Sequence, residues 1–463
     1  MAPRWCGGLL CASVCLASAG ALAQAAPAAV SQLLIDPKDE GHLALSSNFG
    51  LMVSRDAGAS WDWLCKAGLG YKGSTEPAVA ILNGGALVLG LPTGVVTADA
   101  AGCDFKPASG IDANVVGVAA IPGTRGAALA VSVSFPDSSS RVWRSLDGGR
   151  GFRAVGEALP HFTALSLVVP AALPDRVYMT GLLWAQAVEG VFAVSNDGGK
   201  TFTITVIANS DSGAQPFVAA VSPKRPDTVY VRLTGLPGRL RVSDDAGRSF
   251  HEVLSIPGPL QGFAISPSGD EVFASSLEAG IYRADTASLK FSQVACAGLP
   301  CLAATGAALL GCGTRSRDGF VVGRSVDDGQ SFAVLLDTPC LTPARCSPST
   351  SVGAMCGKEW AGVAARLGQV GASCDPAAKS KPFSRACFNE AKPSPTVATA
   401  AAPSARAPQP STRVRGAGCG CMLGLGERTG SRREILALLL AAFALRGRPA
   451  LRRIRSLLAR YRG

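Results

Sequence analysis

Between residues 165 and 206 short apolar runs alternate with polar punctuation. Leu165-Ser166-Leu167-Val168-Val169 is apolar, and Arg176-Val177-Tyr178-Met179-Thr180 alternates. Gly190-Val191-Phe192-Ala193-Val194-Ser195 and Thr201-Phe202-Thr203-Ile204-Thr205-Val206 follow. Runs of β-branched and aromatic residues bounded by Gly, Asp and Asn predict strands. The turn Asn196-Asp197-Gly198-Gly199-Lys200 joins the third run to the fourth. Its glycines accept a positive φ because they lack a Cβ. The pattern predicts a four-stranded up-and-down meander.

That turn belongs to a repeated signature, Ser-x-Asp-x-Gly-x-Ser/Thr-aromatic. It runs from Ser54 to Trp61, Ser195 to Phe202, Ser243 to Phe250 and Ser325 to Phe332. A near copy from Ser145 to Phe152 has Gly151 in place of the hydroxyl residue, and weaker echoes surround Asp99 and Asp285. The seven aspartates are 40 to 50 residues apart. Short strands repeating at that period predict blades of a propeller. The expected fold is all-β, a seven-bladed β-propeller over 31–337, with blades two and six carrying degenerate boxes. Each unit ends with its own fourth strand, so no strand is expected to be exchanged between the termini.

Over these residues the chain resembles the Asp-box, or bacterial neuraminidase repeat, superfamily, a sialidase- and sortilin-like fold. The resemblance implies that Asp56, Asp147, Asp197, Asp245 and Asp327 organise the third-to-fourth turns. A carboxylate accepting hydrogen bonds from its own turn is the physical reason. The second-to-third and fourth-to-first loops then share the opposite face, the usual place for propeller ligands.

Composition narrows the partners. The net charge is +11, but residues 393–463 hold 13 Arg, no Lys and 2 Glu, so the remainder is balanced. Nucleic acid binding needs a basic face on the folded domain, and none is predicted. Arg4 precedes an apolar run from Trp5 to Leu22 that ends in Ala21-Leu22-Ala23, predicting a signal peptide over 1–23. Export makes disulfides the expected state of the remaining cysteines. Ten lie before residue 393: Cys65, Cys103, Cys296, Cys301, Cys312, Cys340, Cys346, Cys356, Cys374 and Cys387. Cys65 and Cys103 are suited by position to join adjacent blades. The last five define a disulfide-rich module over 338–391, in which Trp360, Val363, Ala364, Leu367 and Val370 fall on one helical face. The module contains no Cys-x-x-Cys and no His, so neither metal nor cofactor is predicted.

Residues 392–417 are rich in Pro, Ala, Ser and Thr and predict a linker. Residues 418–463 place Cys419 and Cys421 before an apolar run, Ile435 to Leu445, and a cluster of Arg. This order resembles the myxobacterial C-terminal sorting tail, which implies processing at the Cys pair and membrane association through the tail. A basic amphipathic helix lying on a membrane surface is the other reading. The expected location is the cell surface, outer membrane or exterior.

Two function classes remain. An exo-sialidase needs three arginines around the substrate carboxylate, a Tyr–Glu nucleophile pair and an acidic acid/base. The resemblance implies an Arg-Ile-Pro motif on the first blade, but Val30 to Asp36 contains no Arg. Xyloglucan-type hydrolases pair two such propellers, and this chain has one. His42, His161 and His251 lie in different repeats, and no nucleophile elbow occurs. The favoured class is a recognition or scaffold module, expected to be monomeric, for a protein or glycan. Its candidate loops are 66–76, 135–140, 156–162, 182–189 and 209–215, and its candidate binding residues are Tyr71, Lys72, Glu76, His161, Trp184 and Asp211.

Overall fold

A computed structural model describes residues 30–73, 76–367 and 383–384. The predicted signal segment, Val370, Cys374, Cys387, the predicted linker and the predicted tail with Cys419 and Cys421 lie outside the described residues. Seven sheets, each of four consecutive antiparallel strands, form a seven-bladed propeller. The blades cover 30–64, 78–107, 115–159, 162–206, 216–256, 262–295 and 301–336. Strands are named a to d in each blade. Neighbouring a strands touch all round the ring, including blade 7 against blade 1, so they surround the axis and the d strands lie outermost. Asp99 and Asp285 both stand at c-to-d turns, where the period requires a box.

The core is a ring of clusters between adjacent sheets. Leu129 and Val131 of blade 3 meet Met179 and Val191 of blade 4. Tyr230 and Leu240 of blade 5 meet Val272 and Ala274 of blade 6. Alternating strand residues supply these contacts, and each buried Val or Leu contributes about 1.5–3 kcal/mol of transfer free energy. The box aromatics join in: Trp61, Phe152 and Phe332 are buried.

Blade 4 corrects two expected loops. Its strands are Phe162–Val168, Val177–Trp184, Val188–Ser195 and Thr203–Val206. Strand d of blade 3 is Arg153–Leu159. Segments 156–162 and 182–189 are therefore mostly strand. Gly181 does not end strand b, because its bare Cα passes close to the neighbouring strand. A Cβ there would come within 2.5 Å of the Thr163 carbonyl oxygen and 2.7 Å of the Phe162 ring.

Among the described residues no strand is exchanged at closure. Leu310, Val322 and Leu336 of blade 7 instead pack in one cluster with Leu43, Leu45 and Val53 of blade 1. The module following blade 7 adds a strand on each side of the seam. Leu341–Pro343 pairs in parallel with strand d of blade 1, and Phe383–Ser384 pairs antiparallel with strand d of blade 7. Helix Ser351–Arg366, capped by the Thr350 hydroxyl, buries Val352, Cys356 and Val363. Trp360 lies against Trp63 with ring centroids 5.5 Å apart. Leu367 packs on the same cluster.

The disulfides correct the expected link between blades 1 and 2. Cys65 bonds Cys356, and Cys103 bonds Cys346. The helix provides the reason. Its first turn is pinned beside Cys103, where Val352 N–H donates to the Cys103 carbonyl at 3.0 Å. Cys65 and Cys103 are thus each bonded to the module rather than to the adjacent blade. Cys301 and Cys312 bond across strands a and b of blade 7, and Cys296 and Cys340 are also disulfide-bonded.

Candidate functional site

The five box carboxylates are engaged by their own turns. In blade 4, Asp197 Oδ1 accepts from Ser195 Oγ at 2.7 Å and from Thr201 N–H at 3.0 Å, and Oδ2 accepts from Thr201 Oγ1 at 2.6 Å. Gly199 N–H donates to Ser195 Oγ at 2.9 Å. The same set recurs at Asp56, Asp245 and Asp327. Asp147 lacks only the hydroxyl bond, because Gly151 has no side chain. The glycine at the fifth position is required: Gly247 has φ +88°, and a Cβ would lie 2.1 Å from the Phe192 ring. The Ser249 hydroxyl, aided by Ser249 N–H and Ser243, lowers the Asp245 pKa to about 2. Thr201 and Ser195 hold Asp197 well below the usual carboxylate range. A carboxylate bonded in this way organises a turn and leaves little for an external ligand.

The opposite face carries the b-to-c and d-to-a connections. A channel of about 570 Å³ runs along the axis there, lined by a strands of all seven blades. Its charged lining residues are Glu76 of blade 2 and Arg232 of blade 5. Arg232 is the penultimate residue of strand b, Val229–Leu233. Its guanidinium stands 4.8 Å from the Phe217 ring centroid, and Nη1 donates to the Leu260 carbonyl at 3.3 Å. It is half-buried at the edge of the channel, and burial lowers its pKa. Gln261, beside Leu260, also lines the channel, and its buried Oε1 has no hydrogen-bond partner among the described residues.

Among the described residues, four large apolar side chains are exposed in or beside the b-to-c connections of this face. Phe135 (66% exposed), Leu236 (74%) and Leu277 (37%) lie in b-to-c connections of blades 3, 5 and 6, and Trp184 (42%) ends strand b of blade 4. They occupy equivalent places in four successive blades. Leu146 and Val326, also exposed, lie in box turns on the other face.

The predicted binding residues separate into groups. Tyr71 corrects its expectation of exposure: it is 8% exposed, because its ring packs into the core cluster of blades 1 and 2. Burial first, and the Glu76 charge second, raise the Tyr71 pKa far above the ordinary phenol range. The phenol is therefore protonated at neutral pH, the reverse of an activated nucleophile. Lys72 and Glu76 are exposed near it. His161 and Trp184 come together, with Trp184 N–H donating to the His161 carbonyl at 2.7 Å and the indole N–H donating to Thr163 Oγ1 at 2.9 Å. Asp211 holds its own loop, accepting from Gly213 and Ala214 N–H groups. Sequence reasoning missed Arg232, Gln261, Leu236 and Leu277. An Arg inside an alternating strand reads as an outward-facing residue until the channel is assembled. His42 is buried 3.4 Å from Asp36, remote in sequence from the other two histidines. Among the described residues no group of three or more His, Cys, Asp or Glu is placed to hold a metal.

Neither a protein-family model nor a curated protein sequence matches the chain. Among solved structures it is similar to YCF48 from Cyanidioschyzon merolae, at 13% identity and a TM-score of 0.44, covering 65% of this chain and 94% of that one. It is also similar to the extracellular domain of a hybrid two-component system from B. thetaiotaomicron, at 13% identity and TM-score 0.42, covering 66% of this chain and 38% of the other. An ancestral GH74 enzyme gives 15% identity and TM-score 0.38, covering 67% of this chain and 37% of that one. The chain thus spans under two fifths of the length of these last two proteins. The propeller assignment rests on the seven sheets themselves.

Proposed function

We propose that this protein is an exported recognition module that presents its b-to-c and d-to-a face to a protein partner at the cell surface. The observation that carries this reading is the arc of Phe135, Trp184, Leu236 and Leu277, exposed at equivalent places in four successive blades. Exposed apolar groups gathered on one face favour association, and aromatic anchors dominate such interfaces. The signal segment, the disulfides and the order of linker, Cys pair, apolar run and arginines support export and display. An exo-sialidase is the alternative. It draws support from Tyr71 lying within electrostatic range of Glu76, but the protonated phenol and the single channel arginine argue against it.

The test uses purified full-length protein. A partner captured from the cell surface is purified and rebound to the wild type and two variants. Replacing Phe135, Trp184, Leu236 and Leu277 by Ser is expected to weaken binding at least tenfold. Replacing Leu146 and Val326 by Ser on the opposite face is expected to leave it unchanged. Equal loss in both variants, binding only on a glycan array, or turnover of a fluorogenic sialoside would overturn the reading.

A further inference from the structure

We propose that the outer edge of blade 4, strand Thr203–Val206, is a docking site for an extended segment of a partner protein that alternates apolar with basic side chains and adds to the sheet as a fifth strand. This goes beyond the reading of the b-to-c and d-to-a face, since the site lies on the rim of the ring. An outer strand leaves a row of N–H and C=O groups able to pair with another chain, and proteins protect such edges by covering, bulging, shortening or charging them. The other six blades are protected in these ways. Blades 1 and 7 are covered by Leu341–Pro343 and Phe383–Ser384. Strand d of blade 2 is the pair Lys106–Pro107, and proline has no N–H to offer. In blades 3, 5 and 6 the pairing of strand d with strand c is broken by a register shift. Strand d of blade 4 has none of these devices. Thr203, Ile204, Thr205 and Val206 pair with Val194, Ala193, Phe192 and Val191 without a shift. All of them are β-branched, and no charge or proline lies among them. Among the described residues nothing pairs with the outer side of this strand.

The molecule itself shows that these outer edges accept a fifth strand in either direction. Leu341–Pro343 joins blade 1 in parallel, and Phe383–Ser384 joins blade 7 antiparallel. The two faces of the edge then set the side chains of the occupant, because residues alternate across a strand. Ile204 (38% exposed) and Val206 (50%) share one face with Phe202, which packs against the cluster of blades 3 and 4. An apolar side chain beside them covers surface that is open to water, and same-face neighbours on paired strands stabilise a sheet. Thr203 and Thr205 turn to the other face, where they line a groove of about 410 Å³ shared with blade 5. The groove brings the carboxylates of Asp227, Asp244 and Asp245 together with the guanidiniums of Arg176 and Arg248. Three negative charges against two positive leave one in excess, and Arg176 is already engaged by Asp227. A basic side chain over that groove is therefore favoured over an acidic one.

The experiment uses the full chain and acetylated, amidated heptapeptides in which valine alternates with lysine, read by the fluorescence anisotropy of a labelled copy. One control peptide has glutamate in place of lysine. Another carries N-methyl groups on all its amides, so that it cannot donate to the edge. The lysine peptide is expected to bind, the glutamate peptide to bind about fivefold more weakly, and the N-methylated peptide not to bind. Ile204→Lys/Val206→Lys should weaken binding of the lysine peptide at least tenfold, whereas Ser292→Lys on the edge of blade 6 should leave it unchanged. Hydrogen exchange over 203–206 should slow when the lysine peptide is bound. Thermal melts establish that the variants are folded, and the N-methylated peptide decides the point without altering the protein if they are not. The variant with serine at Phe135, Trp184, Leu236 and Leu277 should bind the lysine peptide normally, so the edge and the recognition face stand or fail separately. Absence of binding, equal binding of all three peptides, or indifference to Ile204→Lys/Val206→Lys would overturn the proposal. So would self-association of the chain that this variant abolishes without any peptide binding, which would make the edge a contact between copies.

Discussion

Cys65, just past strand d of blade 1, is bonded to Cys356 in the helix of the C-terminal module, 291 residues along the chain, with Cα atoms 5.2 Å apart. Cys103 and Cys346 form a second bond nested within the first. Together with the strands added to blades 1 and 7, they fasten the outside of a ring whose first and last blades share no strand.

The nested arrangement predicts non-additive stability. With either bond intact, the other closes only a short path through residues 65–103 and 346–356. With both removed, the whole propeller is released. Cys65→Ser/Cys356→Ser should cost about 2–4 kcal/mol, and removing Cys103–Cys346 as well should cost more than that again. Urea denaturation of the single-bond and double-bond variants decides it. Strictly additive losses, or none, would show that packing alone holds the seam.

Asp197→Ala should lower stability by about 1–2 kcal/mol without altering binding on the opposite face. The same carboxylates set an acid limit. The folded-state pKa values of Asp197 and Asp245 lie below those of unfolded aspartate. Their contribution is therefore complete above about pH 4 and is lost as pH falls toward 2. Urea midpoints measured from pH 6 to pH 2 should drop across that window, less steeply in Asp197→Asn. Lost binding at unchanged stability would make the box a ligand site.

Gly151→Ser should stabilise the third blade by about 0.5–1 kcal/mol. The box there lacks the hydroxyl that the equivalent Ser60, Thr201, Ser249 and Ser331 donate to Oδ2 of their aspartates. A Cβ at Gly151 would sit 3.1 Å from Ser109 Oγ and 3.2 Å from Asp147 Oδ2. The Ser109 hydroxyl can rotate, and the Asp147 contact is where the new bond forms. A lower melting temperature in the variant would show that Ser109 cannot move.

The tail makes a separate prediction. Mature protein shaved from the cell surface should give no peptide beyond about Cys421, and Cys419→Ser/Cys421→Ser should move the protein to other fractions. Recovery of the Tyr461-Arg462-Gly463 end on surface-located protein would leave the membrane-surface helix as the reading of that segment.

The blades are legible in the residues alone. A box is eight consecutive residues whose hydrogen bonds close within the turn, so its chemistry is written locally and its period counts the blades. Strand limits were less legible, because Gly181 and Trp184 look like loop residues until the neighbouring strand supplies their surroundings. What lies on each face follows only from packing between blades. Tyr71 reads as a loop tyrosine, and only packing against blades 1 and 2 shows it buried. Cys65 and Cys103 are near each other in sequence, yet each is bonded to a cysteine of the module. Phe217, Arg232, Gln261 and Glu76 belong to three blades, and no spacing along the chain announces that they share one channel. Local hydrogen bonding can be read from contiguous residues; a channel made by closing a ring of seven sheets cannot.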